Sequence, residues 1–315
     1  MSSLRPSFFA KILLFGEYGI IKDAMALTIP YKDYQGTFAF PPAHPTEAQN
    51  ASNAALRLFW VHLHSLTDAD VPMARLRLED FQTDLEGGLY FESTIPQGFG
   101  VGSSGALVAA VYDRYALDPI LPDEDLSKEK IVLLKAQLAQ MESYFHGKSS
   151  GIDPTICYLQ LPLLIRSKDD VGTVVLPEEA EEAKGAIFLI NSGMPGETRP
   201  LVSFFMEKLK DEGFRNIMRY QFKKYNDRCI QAFLKNEPTS LFDNLKQLSR
   251  LVLEHFSAMI PVHYQGLWQK GIDTNAYYLK LCGSGGGGYI LGFAPNYEEA
   301  LPYLREHHPE VIFRL

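Results

Sequence analysis

Between the strand-like run LYFESTI (89–95) and the helix-like run GALVAAVYDRYA lies Pro96-Gln97-Gly98-Phe99-Gly100-Val101-Gly102-Ser103-Ser104. Glycines at alternate positions remove the side chains that would keep a polyphosphate from backbone N–H groups at a helix N-terminus. A serine hydroxyl at the helix start can reach a hard cation through oxygen. The same loop also serves as an ordinary strand-to-helix turn, with glycine for positive φ and Ser103 or Ser104 as a cap.

Three charged residues stand out by position. Glu142 follows Leu138 by four and precedes Phe145 by three, so its carboxylate points along the packed face of a helix. An unpaired buried carboxylate is costly; snorkelling to solvent, a lysine partner or a Mg2+ ion each relieves that cost. Asp153 in HGKSSGIDPT suits the N-cap of a helix starting at Pro154. Beside a phosphate site it can equally orient a hydroxyl and accept its proton, with a nearby lysine stabilising the anion. Lys11 is the one charge inside FFAKILLF. On an edge strand it points to water; on a central strand it needs an anionic partner, carboxylate or phosphate.

Other chemistries fit less well. GxxxxGK followed by Ser or Thr occurs nowhere, so there is no Walker A loop. Gly283, Gly285 and Gly288 satisfy GxGxxG, but YILGFA follows with strand composition where a dinucleotide site needs a helix. Cys157, Cys229 and Cys282 are odd in number, far apart and without zinc-ligand spacing, and read as reduced thiols of a cytoplasmic protein. Thirty Lys and Arg against 38 Asp and Glu give a net charge of -8, which disfavours non-specific polyanion binding. His62 and His64, at i,i+2, share no helix face and read as surface residues.

These residues need a frame. A length of 315 residues, 46% hydrophobic and 22% charged, describes a folded chain of about two domains at roughly 150 residues each. No apolar run reaches the ~20 residues of a membrane span, and the N-terminus reads as a strand and loop of the mature fold. Strands are expected at 8–15, just after Gly19, at 34–40, 74–80 and 89–95, and twice within 156–176. Helices are expected at 50–66, after Ser104, and over 127–146 with Ser127 as N-cap. The acidic stretch around 178–182 marks a junction. Beyond it come a strand at 186–193, helices between about 200 and 260, strands on either side of Gly283–Gly288, and a final helix and strand.

Taken together, KILLFGEYGII, PQGFGVGSSGA and KLCGSGGGGYI resemble, in order, the three motifs of the GHMP kinase superfamily, and within it most of all the mevalonate kinase family. The resemblance implies a two-domain α+β fold. Its N-terminal α/β domain, similar to ribosomal protein S5 domain 2, spans 1–182, its C-terminal ferredoxin-like domain spans 183–315, and the active site lies in the cleft between them. It implies ATP bound by Pro96, Gly98, Gly100, Val101, Gly102, Ser103 and Ser104, with Gly283, Gly285 and Gly286 of the third motif. Mg2+ falls to Ser104 and Glu142, because the family's acidic metal ligand lies eleven residues before its catalytic aspartate, here Asp153, and Lys11 matches the lysine beside that aspartate. Glu17 and Tyr18 of the first motif fall to the substrate, and Lys148, Arg199 and Tyr18 are candidates for a hydroxy acid's carboxylate. This chain departs from the family in two places. Tyr18 stands where mevalonate kinases usually carry a substrate-contacting histidine, and GEY is also seen in phosphomevalonate kinases. Gly105 replaces the usual alanine, a change expected to be tolerated.

The expected activity is ATP-dependent phosphorylation of a small alcohol, foremost mevalonate, with phosphomevalonate kinase as the rival within the class. A non-catalytic S5-like nucleic-acid-binding protein is the rival outside it, and the absence of a dense basic stripe with interleaved aromatics argues against that. An NAD-dependent oxidoreductase ranks third. The expected partners are a small-molecule substrate and at most a second copy of the chain; neither nucleic acid nor membrane is expected.

Overall fold

A computed structural model describes residues 6–66, 73–122, 126–179 and 182–315, leaving the side chains of Ile20, Thr198 and Arg199 undescribed. The first half opens with β1 (Phe8–Phe15) and β2 (Ala26–Ala39), joined by a loop with a short 3-10 turn at Gly19–Lys22 where a second strand was expected. There follow α1 (Glu47–Ser65), α2 (Leu78–Glu86), β3 (Tyr90–Ser93), α3 (Ser103–Tyr115), α4 (Lys128–His146), α5 (Ile152–Leu159), β4 (Leu163–Ser167) and β5 (Asp170–Thr173). These five strands form one antiparallel sheet in the order β1-β2-β4-β5, with β3 also paired to β2.

Local sequence explains most of these elements. Thr46 caps α1 in a reciprocal capping box with Gln49, and Ser127 caps α4 as expected. Two expected strands are corrected. Over 74–80 the alternation yields only an isolated bridge between Leu76 and Ala116; from Leu78 the chain is helical, because Phe81 and Leu85 continue a helical stripe into the core. The run ICYL (156–159) belongs to α5, which is buried from Thr155 to Leu159 and so carries no polar face to betray its period.

The second half runs β6 (Ala186–Asn191), α6 (Thr198–Lys208), α7 (Glu212–Asn216), a π turn (Ile217–Phe222), α8 (Lys223–Leu234), α9 (Pro238–His255), α10 (Val262–Thr274), β7 (Tyr278–Leu281), β8 (Tyr289–Ala294), α11 (Tyr297–Leu304) and β9 (Glu310–Arg314). Its sheet, in the order β7-β8-β6-β9 with antiparallel pairing throughout, has the split βαββαβ arrangement of ferredoxin-like folds, with the helices α6–α10 in its first crossover. The α+β architecture expected from the sequence is the one observed.

Hydrogen bonds tie the halves together. Asn226 Nδ2 on α8 donates to the Met25 carbonyl (2.8 Å), and the Met25 N–H donates to Asp227 Oδ1 (2.8 Å). The Tyr34 and Tyr289 hydroxyls meet at 2.6 Å between the two sheets. Among the described residues no helix is long and apolar enough to cross a membrane.

Candidate active site

The β3–α3 loop and the β7–β8 loop meet back to back. Gly98, Gly100 and Gly102 all have positive φ (78°, 77° and 84°), and a Cβ at Gly100 would lie 2.6 Å from the Cys282 carbonyl oxygen. A Cβ at Gly102 would lie 2.8 Å from Lys11 Cγ, and one at Gly288 2.6 Å from the Phe99 backbone. The bare backbone therefore lets the loops close on one another as well as leaving their surface open. Gly196 N–H donates to the Gly98 carbonyl (2.8 Å) and Gly288 N–H to the Met194 carbonyl (2.6 Å), which fixes both loops against the segment after β6.

Where the loops face away from this seam they line a cleft of about 290 Å³, walled by Gly98, Gly100, Gly102, Ser103 and Ser104 on one side and Gly283, Ser284, Gly285 and Gly287 on the other. Pro96 and Val101 are not on this wall. Val101 is buried and its carbonyl accepts from the Lys11 N–H (2.9 Å). Gly286 is also off the wall: its N–H is spent on the Met259 carbonyl (2.6 Å), and its Cα faces Leu201. Strand β8, not a helix, follows Gly288, as its composition indicated.

At the head of α3, Gly102 occupies the N-cap position in a left-handed conformation, and neither serine caps the helix. Ser104 Oγ instead donates to Glu142 Oε1 (3.1 Å). Glu142 neither snorkels nor meets a lysine; it is buried, and its other oxygen accepts from the Ser149 hydroxyl. Burial first, then the negative charge of Asp153, pushes its carboxyl up to about 7. A hydroxyl and a buried carboxylate, both hard oxygen donors in a site rich in negative charge, fit a hard divalent cation.

Asp153 sits in the first turn of α5, which starts at Ile152, two residues before the expected Pro154, because Gly151 (φ 72°) takes the N-cap position. Its Oδ2 pairs with Lys11 Nζ at 3.0 Å. Strand β1 is indeed an edge of the sheet, yet Lys11 does not point to water: the glycine loop covers that edge and leaves its side chain 4% exposed. Burial lowers the Lys11 pKa, but the Asp153 charge and hydrogen bond, with help from Cys282 and Cys157, outweigh it and raise the pKa overall. Asp153 itself is 38% exposed and lines the cleft together with Lys11, Glu142 and Ser104. A Cβ at Gly105 would stand 2.8 Å from the Asp153 carbonyl carbon and 2.9 Å from Pro154 N, so α3 and α5 pack closely where this chain carries glycine.

Glu17 and Tyr18 of the first motif lie elsewhere. Glu17 pairs with Lys280 in the interior, their side chains 6% and 3% exposed, and Lys280 Nζ also lies 5.6 Å from the Phe15 ring centroid. Burial raises the Glu17 pKa in spite of the Lys280 charge. Tyr18 packs against Phe205 (4.6 Å between ring centroids) and donates its hydroxyl to the Ser284 carbonyl (2.7 Å), bracing the β7–β8 loop from behind. Neither residue is on the cleft wall, because each is occupied with the second half of the chain. Lys148 is exposed on the wall. Arg199 is the second residue of α6, but its side chain lies outside the described residues.

His146, Ser149, Ser150 and Cys282 also line the wall and were missed in the sequence as site residues. His146 Nε2 lies 3.1 Å from Ser104 Oγ. The signal for it was available, since it follows Glu142 by four residues on one helix and so shares its face.

Residues 71–160 match the family described as GHMP kinases N terminal domain. No curated protein matches the chain. Among solved structures, the chain is similar to L. major mevalonate kinase in complex with R-mevalonate, with TM-score 0.62, 17% identity, and 100% of this chain and 95% of that one covered. It is also similar to Streptococcus pneumoniae phosphomevalonate kinase in complex with phosphomevalonate and AMPPNP, with TM-score 0.61, 14% identity and 99% coverage of both chains. A third likeness is to Lactococcus lactis galactokinase complexed with galactose, with TM-score 0.56, 12% identity, and 98% and 93% covered. The match at 71–160 is to the N-terminal domain of the GHMP kinases, and the whole chain shares its fold with these three solved kinases.

Proposed function

We propose that the chain is an ATP- and Mg2+-dependent kinase acting on the primary hydroxyl of mevalonate, with residues 1–182 holding nucleotide and catalytic carboxylate and residues 183–315 closing the cleft. The observation that carries this reading is the Asp153–Lys11 pair at 3.0 Å, in the same cleft as the Ser104–Glu142 pair and both glycine loops.

In this reading, backbone N–H groups of Gly98–Ser104 and the positive end of α3 hold the triphosphate. Mg2+, which Ser104 Oγ and Glu142 would hold, supplies neutralisation of charge on the phosphate oxygens. Asp153 orients the acceptor hydroxyl and takes its proton on a carboxylate oxygen as the new oxygen–phosphorus bond forms and ADP departs. Lys11 offsets the negative charge gathered there. A loose transition state asks little of the base, so position and electrostatics supply most of the acceleration. Lys148, at the wall, is a counter-charge for the acceptor's carboxylate.

Galactose and phosphomevalonate are bound by proteins of similar fold, so the acceptor is decided by assay. A panel of alcohols with ATP and Mg2+, scored for ADP release, is expected to respond to mevalonate. Release with phosphomevalonate alone moves the chain to the rival kinase. No release with any alcohol, together with salt-sensitive RNA binding, overturns the enzyme reading.

A further inference from the structure

The geometry assigns to His146 a role that neither motif nor likeness supplies: it is a positioning residue that holds the Ser104 hydroxyl proton so that a lone pair of Ser104 Oγ faces the cation. This rests on the kinase reading above.

Glu142 and His146 stand one turn apart on α4, and both reach the same atom. Ser104 Oγ lies 3.1 Å from Glu142 Oε1 and 3.1 Å from His146 Nε2. Helix α4 stops directly after His146, because Gly147 takes φ 75° and its N–H closes on the Ser143 carbonyl (2.7 Å). The imidazole is thereby left at the helix end, on the cleft wall.

A serine hydroxyl has one proton and two lone pairs. With no cation the proton goes to Glu142 Oε1. A hydroxyl that ligates a cation turns its proton away from the metal, and Glu142 Oε1 would then face the same ion while Oε2 accepts from Ser149. Of the two groups within reach of Oγ, His146 Nε2 is the acceptor that remains, in the neutral tautomer with its proton on Nδ1. Partners of this kind, behind the ligands, typically change metal affinity 10–100-fold when removed.

The test separates metal from nucleotide. Mn2+ affinity is read by electron paramagnetic resonance titration with saturating AMPPNP, and AMPPNP affinity is read separately without metal. His146→Ala is expected to weaken Mn2+ binding about tenfold or more, with metal-free AMPPNP affinity and melting temperature unchanged. His146→Gln, whose side-chain oxygen accepts a hydrogen bond, is expected to recover most of the loss. In a Ser104→Ala background, His146→Ala is expected to cost nothing further. Unchanged Mn2+ affinity overturns the assignment, as does an undiminished effect without the Ser104 hydroxyl. An equal loss of metal-free AMPPNP binding also overturns it, since the ring then touches phosphate itself. Failure of the unmodified protein to bind AMPPNP and Mn2+ at all removes the kinase reading first, and is seen before any variant is made.

Discussion

The carbonyl carbon of Asp153 lies where a methyl on Gly105 would have to go: a Cβ there would stand 2.8 Å away, well inside van der Waals contact. Helices α3 and α5 cross at this point, one presenting Ser104 and the other Asp153. Gly105→Ala is therefore expected to force the helices apart, at a cost of about 1–3 kcal/mol in stability. Because displacement of a reacting group by about 1 Å can cost a hundredfold, turnover is expected to fall more than nucleotide affinity. Thermal melts and steady-state kinetics check both; normal turnover would show that Asp153 is placed independently of this crossing.

Asp153→Ala is expected to lower turnover by several orders of magnitude while leaving AMPPNP affinity nearly intact, because Asp153 meets the acceptor and not the nucleotide in the proposed mechanism. Near-normal turnover removes the base assignment. The same substitution leaves the Lys11 ammonium buried without its counter-ion, so a drop in melting temperature accompanies the loss.

Glu142 makes stability depend on pH. Its folded-state carboxyl is pushed from the ordinary 4.5 up to about 7, so folding favours the protonated form. The associated stability is full below about 4.5 and is lost as pH rises through about 7. In metal-free protein, the melting temperature of the unmodified chain is expected to fall relative to that of Glu142→Gln between pH 5 and pH 8, on the order of the interval between those two values. Parallel melting curves across that range contradict it.

Lys280 and Glu17 form a buried pair linking β7 to the loop after β1. Removing one partner, as in Lys280→Met, leaves a buried carboxylate unpaired and is expected to cost about 3–5 kcal/mol. The double variant Glu17→Leu/Lys280→Met is expected to recover much of that. Denaturant titration decides; a loss in the double variant equal to the sum of the two single losses would show that the pair contributes no mutual stabilisation.

Much of this protein is decided by local chemistry that a one-dimensional reading can follow. The periodicity of Ile131, Leu134, Leu138 and Met141 sets α4, Ser127 starts it, and that same stripe carries Glu142 to the buried side. The alternate glycines at 98–102 permit the positive φ that all three adopt. Where burial is complete, periodicity loses its contrast, and ICYL reads as strand until the tertiary structure shows α5 enclosed on every side. Which charge meets which is also a tertiary decision. Lys11 is buried although its strand is an edge, because the glycine loop folds over that edge and α5 brings Asp153 against it. Glu17 turns from the expected substrate to Lys280, and His146 joins Ser104 from another helix. Coulomb attraction and hydrogen bonding act through space, and sequence spacing carries no record of distances that only the packed chain creates.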